Sequence, residues 1–210
     1  MFSGGTDTSI VPIEWALVEL LANPEKMALL QNELAEVVGN TKLVSISHLP
    51  NLPYLSAVVK ETMRMHPALP LLVPHRLVTQ SCELLGYEIR ANTQVYINVW
   101  AIGHDPSVWD NPWEFRPERF LDSSPLASIS VRGVNFDFLP FGSGRRMCPG
   151  LPLAMLMIEF ILGSLVHSFE WMAGGEPKVN ETLRILAKPE SPLVVKAYPK
   201  QPLQNQLKIP

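Results

Sequence analysis

Phe141-Gly142-Ser143-Gly144-Arg145-Arg146-Met147-Cys148-Pro149-Gly150 stands directly ahead of the longest apolar run in the chain. This stretch holds three glycines, two adjacent arginines and one cysteine. The glycines permit positive φ and let the backbone approach a bulky group closely. Cations beside a cysteine favour its thiolate, the form that ligates metal. An apolar helix starting just after Cys148 adds the positive end of its dipole to the same effect. A thiolate offered from a tight glycine loop, with cations beside it, suits a large anionic metal cofactor.

Outward from that loop, 210 residues are enough for one domain with a substantial core. Apolar residues make up 47% and charged ones 18%, a globular composition that excludes a disordered chain. A net charge of −3 and a pI near 6.0 give no argument for a nucleic-acid partner. The 20 prolines cluster in 50–140 and 189–210 and predict irregular, loop-rich segments there. Cys82 and Cys148 are the only cysteines, so there is no disulfide framework. A single bridge between them stays open, although the arginines favour a working thiolate. Small and polar residues follow Met1 without a cationic leader, so no signal peptide is expected. No segment reaches about 20 uninterrupted apolar residues, and no membrane anchor is expected in this chain. Leu151 to Val166 comes nearest, but it carries Glu159 and reads as a buried core helix.

Ser3 to Leu21 reads as a helix, with Ile13, Ala16, Leu17, Leu20 and Leu21 on one face. Gly4-Gly5-Thr6-Asp7-Thr8-Ser9 is poor helix material, and Pro12 removes the N–H that would bond the Thr8 carbonyl. An opening near Thr8 is expected, with polar backbone free for a ligand or water. The same stretch also reads as a capped helix start with Asp7 or Thr8 at the N-cap. Asn23-Pro24 opens a second helix that runs to about Val38 and stops at Gly39. Pro53 opens a third, ending near His66-Pro67, with Leu55, Val58, Val59, Thr62 and Met63 as its buried stripe. Glu61 and Arg64 sit three apart on it and can pair. If half buried, they need further partners.

Leu71 to Val73, Glu83 to Ile89 and Gln94 to Val99 are expected to form a small antiparallel sheet. Arg76 falls at the end of its first strand, pointing either into a pocket or to solvent. His104 to Pro140 reads as a long coil packed by Trp109, Trp113, Phe115, Phe120, Phe136 and Phe138. Leu151 to Ser168 is the helix behind the cysteine loop. Leu183 to Lys188 and Leu193 to Ala197 suggest a closing hairpin, and the tail from Pro199 is expected to fray.

The cysteine loop resembles the haem-binding signature of the cytochrome P-450 superfamily, F-x-x-G-x-R-x-C-x-G, at every specified position. Three further motifs match that superfamily in the right order. Glu61-Thr62-Met63-Arg64 is similar to its E-x-x-R, Phe115-Arg116-Pro117-Glu118-Arg119-Phe120 to its F-x-P-E-R-F, and Gly4 to Ser9 to its oxygen-activation motif. Leu52-Pro53-Tyr54-Leu55, Asn98 to Gly103 and Gly144 to Gly150 resemble the plant-type microsomal branch, near flavonoid hydroxylases and geraniol hydroxylase.

The resemblance implies a mainly α fold with small antiparallel β-sheets. It makes residues 1–210 the C-terminal portion of a single domain whose family members run to about five hundred residues. It implies haem b (iron protoporphyrin IX), with Cys148 as axial iron ligand, chosen over histidine because a thiolate pushes electron density onto iron. Phe141, Gly144 and Gly150 would cradle the cofactor, and Arg146 and Arg76 would pair with its propionates. Glu61, Arg64 and Arg119 would form a buried structural network. Asp7 and Thr8 match the acid–alcohol pair that delivers protons during oxygen activation. Ala68, Leu69, Leu71, Leu72, Val73 and Leu186 fall where that branch contacts substrate, and their apolar character suggests a small apolar or aromatic molecule.

The expected activity is therefore hydroxylation with O2 and with electrons from NADPH through a reductase, which Arg145 would help to dock. For the full-length parent, the cytosolic face of the endoplasmic reticulum membrane is expected. The competing expectation is a truncated, non-catalytic product unable to hold haem. A cysteine nucleophile or a zinc protein fits less well, since no second cysteine or histidine lies at metal spacing near Cys148.

Overall fold

The computed structural model describes residues 2–76, 80–122, 124–175, 180–183 and 185–200. Helix α4 (Pro53–Met65) is the element around which the rest assembles. Proline at its first position matches the fixed φ of a helix start. Glu33 then satisfies two first-turn donors, accepting from Tyr54 N at 2.7 Å and Leu55 N at 2.9 Å. The expected stripe of Leu55, Val58, Val59, Thr62 and Met63 is buried. So are Glu61 and Arg64, which leaves α4 surrounded on nearly all sides. His66 and Pro67 end it.

Three helices pack on this axis: α2 (Asp7–Ala22), α3 (Pro24–Val38) and α6 (Leu151–Ser168). Their shared core includes Leu20, Leu30, Leu34, Leu55, Ile158 and Leu162. Asn23 stands at the start of α3, but its amide donates back to Glu19 O at 2.8 Å instead of capping. The helix α6 is long and apolar enough by composition to cross a membrane. Here Leu151, Ile158, Leu162 and Val166 of α6 lie in the core.

The opening in the N-terminal helix lies earlier than the sequence suggests. Short α1 (Phe2–Gly5) ends at Thr6, α2 begins at Asp7, and Pro12 sits buried inside a continuous α2. Neither Asp7 nor Thr8 is the N-cap. The glycine pair weakens the helix at that point, whereas Pro12 forfeits only one backbone bond. Thr8 Oγ1 donates to Gly4 O at 2.6 Å, and Ser9 Oγ donates to Gly5 O at 3.0 Å, so hydroxyls bridge the break.

The expected small sheet is two separate ladders. Strand β1 (His75–Arg76) pairs with β4 (Gln94–Val95), and β2 (Cys82–Leu84) pairs with β3 (Tyr87–Ile89). Leu71 to Val73 is a turn, not a strand, with Leu72 at φ 52°. Pro70 and Pro74 bracket it and deny the ladder its donors. Val99–Gly103 is helix α5, because Asn98 Oδ1 accepts from Ala101 N at 2.9 Å and caps it.

The closing hairpin is also rearranged. Strand β6 (Glu181–Leu183) pairs with β7 (Ala187–Pro189), while β8 (Val195–Pro199) returns to β5 (Phe169–Ala173) directly after α6. A short local loop closes β6 on β7 at lower entropic cost than a pairing with the later strand. Of the expected frayed tail, Lys200 N still bonds Ser168 O at 2.8 Å, and residues 201–210 lie outside the described residues.

The long coil has its own aromatic core. Trp109, Phe115, Phe120 and Phe138 are buried, with Phe120 and Phe138 centroids 5.4 Å apart. Trp113 and Phe136 are exposed and do not join it. Trp113 instead lies against His104, with ring centroids 4.3 Å apart and planes tilted by 36°. Helices with small antiparallel ladders make the fold class the one expected.

Candidate functional site

The cysteine loop owes its path to two glycines. Gly142 has φ 72° and Gly144 φ 68°, a left-handed conformation that side chains resist. The chain folds back there, so that Cys148 N–H donates to Phe141 O at 3.0 Å. Gly144–Arg146 form one 3-10 turn, and α6 begins three residues after the cysteine. Cys148 is a half-buried free thiol. Arg145 and Arg146 are exposed, and among the described residues their side chains make no ion pair. Phe141 and Met147 pack against the main core and anchor the loop from below.

A Cβ placed on Gly144 would meet nothing within 4 Å, and one on Gly150 would lie 3.7 Å from Cys148 Sγ. The backbone beside the sulfur at Gly150 is therefore bare, and the loop leaves open space at Gly144. Among the described residues no group of three His, Cys, Asp or Glu side chains could hold a metal ion. A single sulfur suits a metal that brings its remaining ligands with it, as iron in a porphyrin does. On both counts the residues fit a haem.

Gly133 belongs to none of the sequence motifs, yet it supports this loop. A Cβ there would clash with the Gly142 carbonyl and lie 3.0 Å from Ser143 Cα. Ser143 Oγ donates to Gly133 O at 2.7 Å and clamps the contact. Its only signal in the sequence is a glycine inside an aromatic-rich coil.

Behind the loop, Glu61 and Arg64 form a fork. Arg64 Nε and Nη2 donate to Glu61 Oε2 and Oε1 at 2.7 and 2.8 Å. Arg119, from the 3-10 turn Pro117–Phe120, donates Nε to Glu61 Oε1 at 3.2 Å. These three side chains are 0% exposed. Three charges in such a place need more than each other. The extra partners are backbone. Arg64 Nη1 donates to Gly103 O and Pro112 O at 2.6 and 2.8 Å, Arg119 Nη2 to Asn111 O at 2.8 Å, and Arg116 N to Glu61 Oε1 at 2.9 Å. Arg64 also lies over the Trp109 ring at 5.3 Å. Burial lowers the pKa of Arg119 from the ordinary guanidinium value, with Glu61 opposing. The network staples the 104–120 coil onto α4.

The remaining candidates are distributed. Asp7 is exposed, with Oδ2 3.9 Å from Lys188 Nζ, and Thr8 is bonded back to Gly4. Ala68 packs on Val11, Trp15 and Val18 of α2, and its carbonyl accepts from Ala187 N at 3.2 Å. Leu186 is therefore adjacent to the 68–73 segment. Leu72 reaches the cysteine loop, since a Cβ on Gly142 would lie 3.6 Å from its Cδ1. Leu71 and Val73 are exposed and Leu69 is half buried. Arg76 is exposed on β1. Among the described residues no side-chain hydrogen bond or ion pair joins Arg76, Asp7 or Thr8 to the loop.

Similarity to known proteins covers nearly the whole chain. The family model for Cytochrome P-450 matches residues 1–197. Cytochrome P-450 76A1 of Solanum melongena is 46% identical over 200 residues, covering 93% of this chain and 42% of that protein. Geraniol 8-hydroxylase of Swertia mussotii is 49% identical over 175 residues, covering 83% and 34%. Flavonoid 3',5'-hydroxylase 2 of Petunia hybrida is 44% identical over 206 residues, covering 97% and 40%. A solved structure of a zebrafish cytochrome P-450 with progesterone superposes with a TM-score of 0.81 at 34% identity, covering 95% of this chain and 44% of that one. The chain thus spans between a third and about two fifths of the relatives it matches. With its motifs in order and its fold shared, the chain belongs to the cytochrome P-450 family.

Proposed function

We propose that residues 1–210 are the C-terminal, haem-holding portion of a single-domain monooxygenase that hydroxylates a small apolar or aromatic plant metabolite. The observation that carries this reading is the loop itself: a lone sulfur, beside bare backbone at Gly150, at the start of α6 and seated on the core. Cys148 holds the iron of haem b, Phe141, Gly144 and Gly150 form the cradle, and Arg146 and Arg76 take the propionates. When bound, the haem supplies the redox chemistry that activates dioxygen. The chain's own residues do the rest. Phe141 packs near the thiolate and ties the loop to the core. Asp7 and Thr8 hold and move protons at a carboxyl oxygen and a hydroxyl, supported by the break at Thr6 that leaves α2 starting beside them. Ala68, Leu69, Leu71, Leu72, Val73 and Leu186 offer an apolar surface for substrate. Glu61, Arg64 and Arg119 maintain the core that keeps the loop in place.

Electrons come from NADPH through a reductase, for which exposed Arg145 is a docking cation. The longer parent sits on the cytosolic face of the endoplasmic reticulum membrane, as the resemblance to the plant-type microsomal branch implies. The deciding experiment is haemin titration of the 210-residue chain, followed by reduction and carbon monoxide. A stoichiometric complex with the red-shifted absorption of a thiolate-ligated haem, lost in Cys148→Ala, is expected. Unchanged absorption in that variant refutes Cys148 as ligand. No haem uptake at all favours the competing non-catalytic product.

A further inference from the structure

His66 ends α4 and is pinched between two carboxylates from opposite sides. Its Nε2 lies 2.9 Å from Glu19 Oε1 on α2, and its Nδ1 lies 3.0 Å from Glu181 Oε1 on β6. Ionised carboxylates only accept hydrogen bonds, so both ring nitrogens must donate, which makes the ring an imidazolium. The ring also lies flat on Trp15, with centroids 3.8 Å apart and planes 4° from parallel. A cation over an indole face is favoured. The second oxygens are held as well. Trp100 Nε1 donates to Glu181 Oε2 at 3.0 Å, and Asn23 Nδ2 lies 3.4 Å from Glu19 Oε2.

The elements meeting at this ring are those that carry the substrate-facing candidates. Ala68 is two residues beyond His66 and packs on the cluster of Val11, Trp15 and Val18. Leu186 lies between β6, which supplies Glu181, and β7. Trp15 Nε1 donates to Ala187 O at 2.9 Å, and Ala187 N donates to Ala68 O at 3.2 Å. We propose that His66 is a positioning residue whose charged ring, held between Glu19 and Glu181, fixes the 68–73 segment and the Leu186 turn against α2. Its bearing on substrate rests on the monooxygenase reading above; the clamp itself does not.

The charged and titratable groups around the ring are Glu19 from α2, Glu181 from β6, and the more distant His104 from the end of α5. Burial pushes the pKa of His66 down, but the hydrogen bonds to Glu181 and Glu19 outweigh it and hold the value above the ordinary one. A raised folded value means the clamp's contribution is complete below about pH 6.5, the unfolded value. It is lost as pH rises through the folded value.

The test uses the 210-residue chain without added haem, labelled with 15N-histidine and followed by NMR from pH 5 to 9. Both ring nitrogens of His66 are expected to carry protons at pH 6, with a midpoint above about 6.5 that drops in Glu181→Gln. Hydrogen exchange supplies the positioning readout. Relative to intrinsic rates, protection of the Ala187 amide should fall about tenfold in His66→Gln, with the Leu162 amide unchanged. In the unmutated chain the same loss should follow the His66 midpoint, which keeps the test alive should His66→Gln fail to fold. A midpoint at or below the ordinary value, a bare ring nitrogen at pH 6, or Ala187 protection indifferent to pH and to the variant overturns the proposal. Failure of the haem titration described above leaves this result standing, and the reverse also holds.

Discussion

The brace at Glu61, Arg64 and Arg119 and the loop at Cys148 are neighbours in one core, yet they solve opposite problems. The brace is sealed at 0% exposure and finds its partners inside the chain for every nitrogen and oxygen but Arg119 Nη1, which has none among the described residues. The loop turns Arg145 and Arg146 outward and leaves its sulfur half accessible. Buried charge must be matched by fixed acceptors or it unfolds the protein. A thiolate meant for a metal must instead remain reachable. The brace is thus a stability device and the loop a binding device, and substitutions should separate the two.

The largest effect is expected at the brace. Arg64→Ala removes both bonds that Arg64 makes to Glu61, leaves Glu61 Oε2 bare and unpairs the carbonyls of Gly103, Pro112 and Glu114, and should cost about 3–5 kcal/mol in denaturant unfolding. Gly133→Ala tests the strut between the two regions. Its clash with the Gly142 carbonyl should cost about 1–3 kcal/mol and weaken haem uptake as well. Tyr54→Phe removes one hydrogen bond, from Tyr54 OH to Glu118 Oε1 at 3.1 Å, and should cost about 1 kcal/mol. Cys148→Ala should change unfolding least, within about 0.5 kcal/mol, while abolishing thiolate-type haem absorption. If Cys148→Ala proved as destabilising as Arg64→Ala, the division between the two regions would fail.

Legibility in the sequence follows the range of the forces involved. Helix α4 is readable because its apolar period, its opening proline and its Glu61–Arg64 spacing are local. The bend at Gly142 and Gly144 is readable because glycine spacing reports backbone angle directly. Arg64's acceptors at Gly103, Pro112 and Glu114 are not, since a carbonyl carries no residue identity. Leu71 to Val73 has strand composition, but the flanking prolines decide its shape. The break falls at Thr6, ahead of where Pro12 points, because two adjacent glycines loosen the helix more than one proline does. The role of Gly133 depends on a contact with Ser143 across a turn, and a lone glycine in an aromatic-rich coil does not name its partner.

The packing of α2 on α6 has a consequence for synthesis. Roughly 130 residues separate the end of one from the start of the other. At translation rates of about 5–20 residues per second, α2 leaves the ribosome roughly 6 to 26 s before its partner is made. During that interval Leu17 and Leu20 lack the surface that later covers them. That part of the α2 face therefore stays exposed in the nascent chain until α6 emerges, while α3 and α4 can cover the rest of it earlier. Variants that slow the last third of translation should reduce yield without altering the stability of molecules that complete folding.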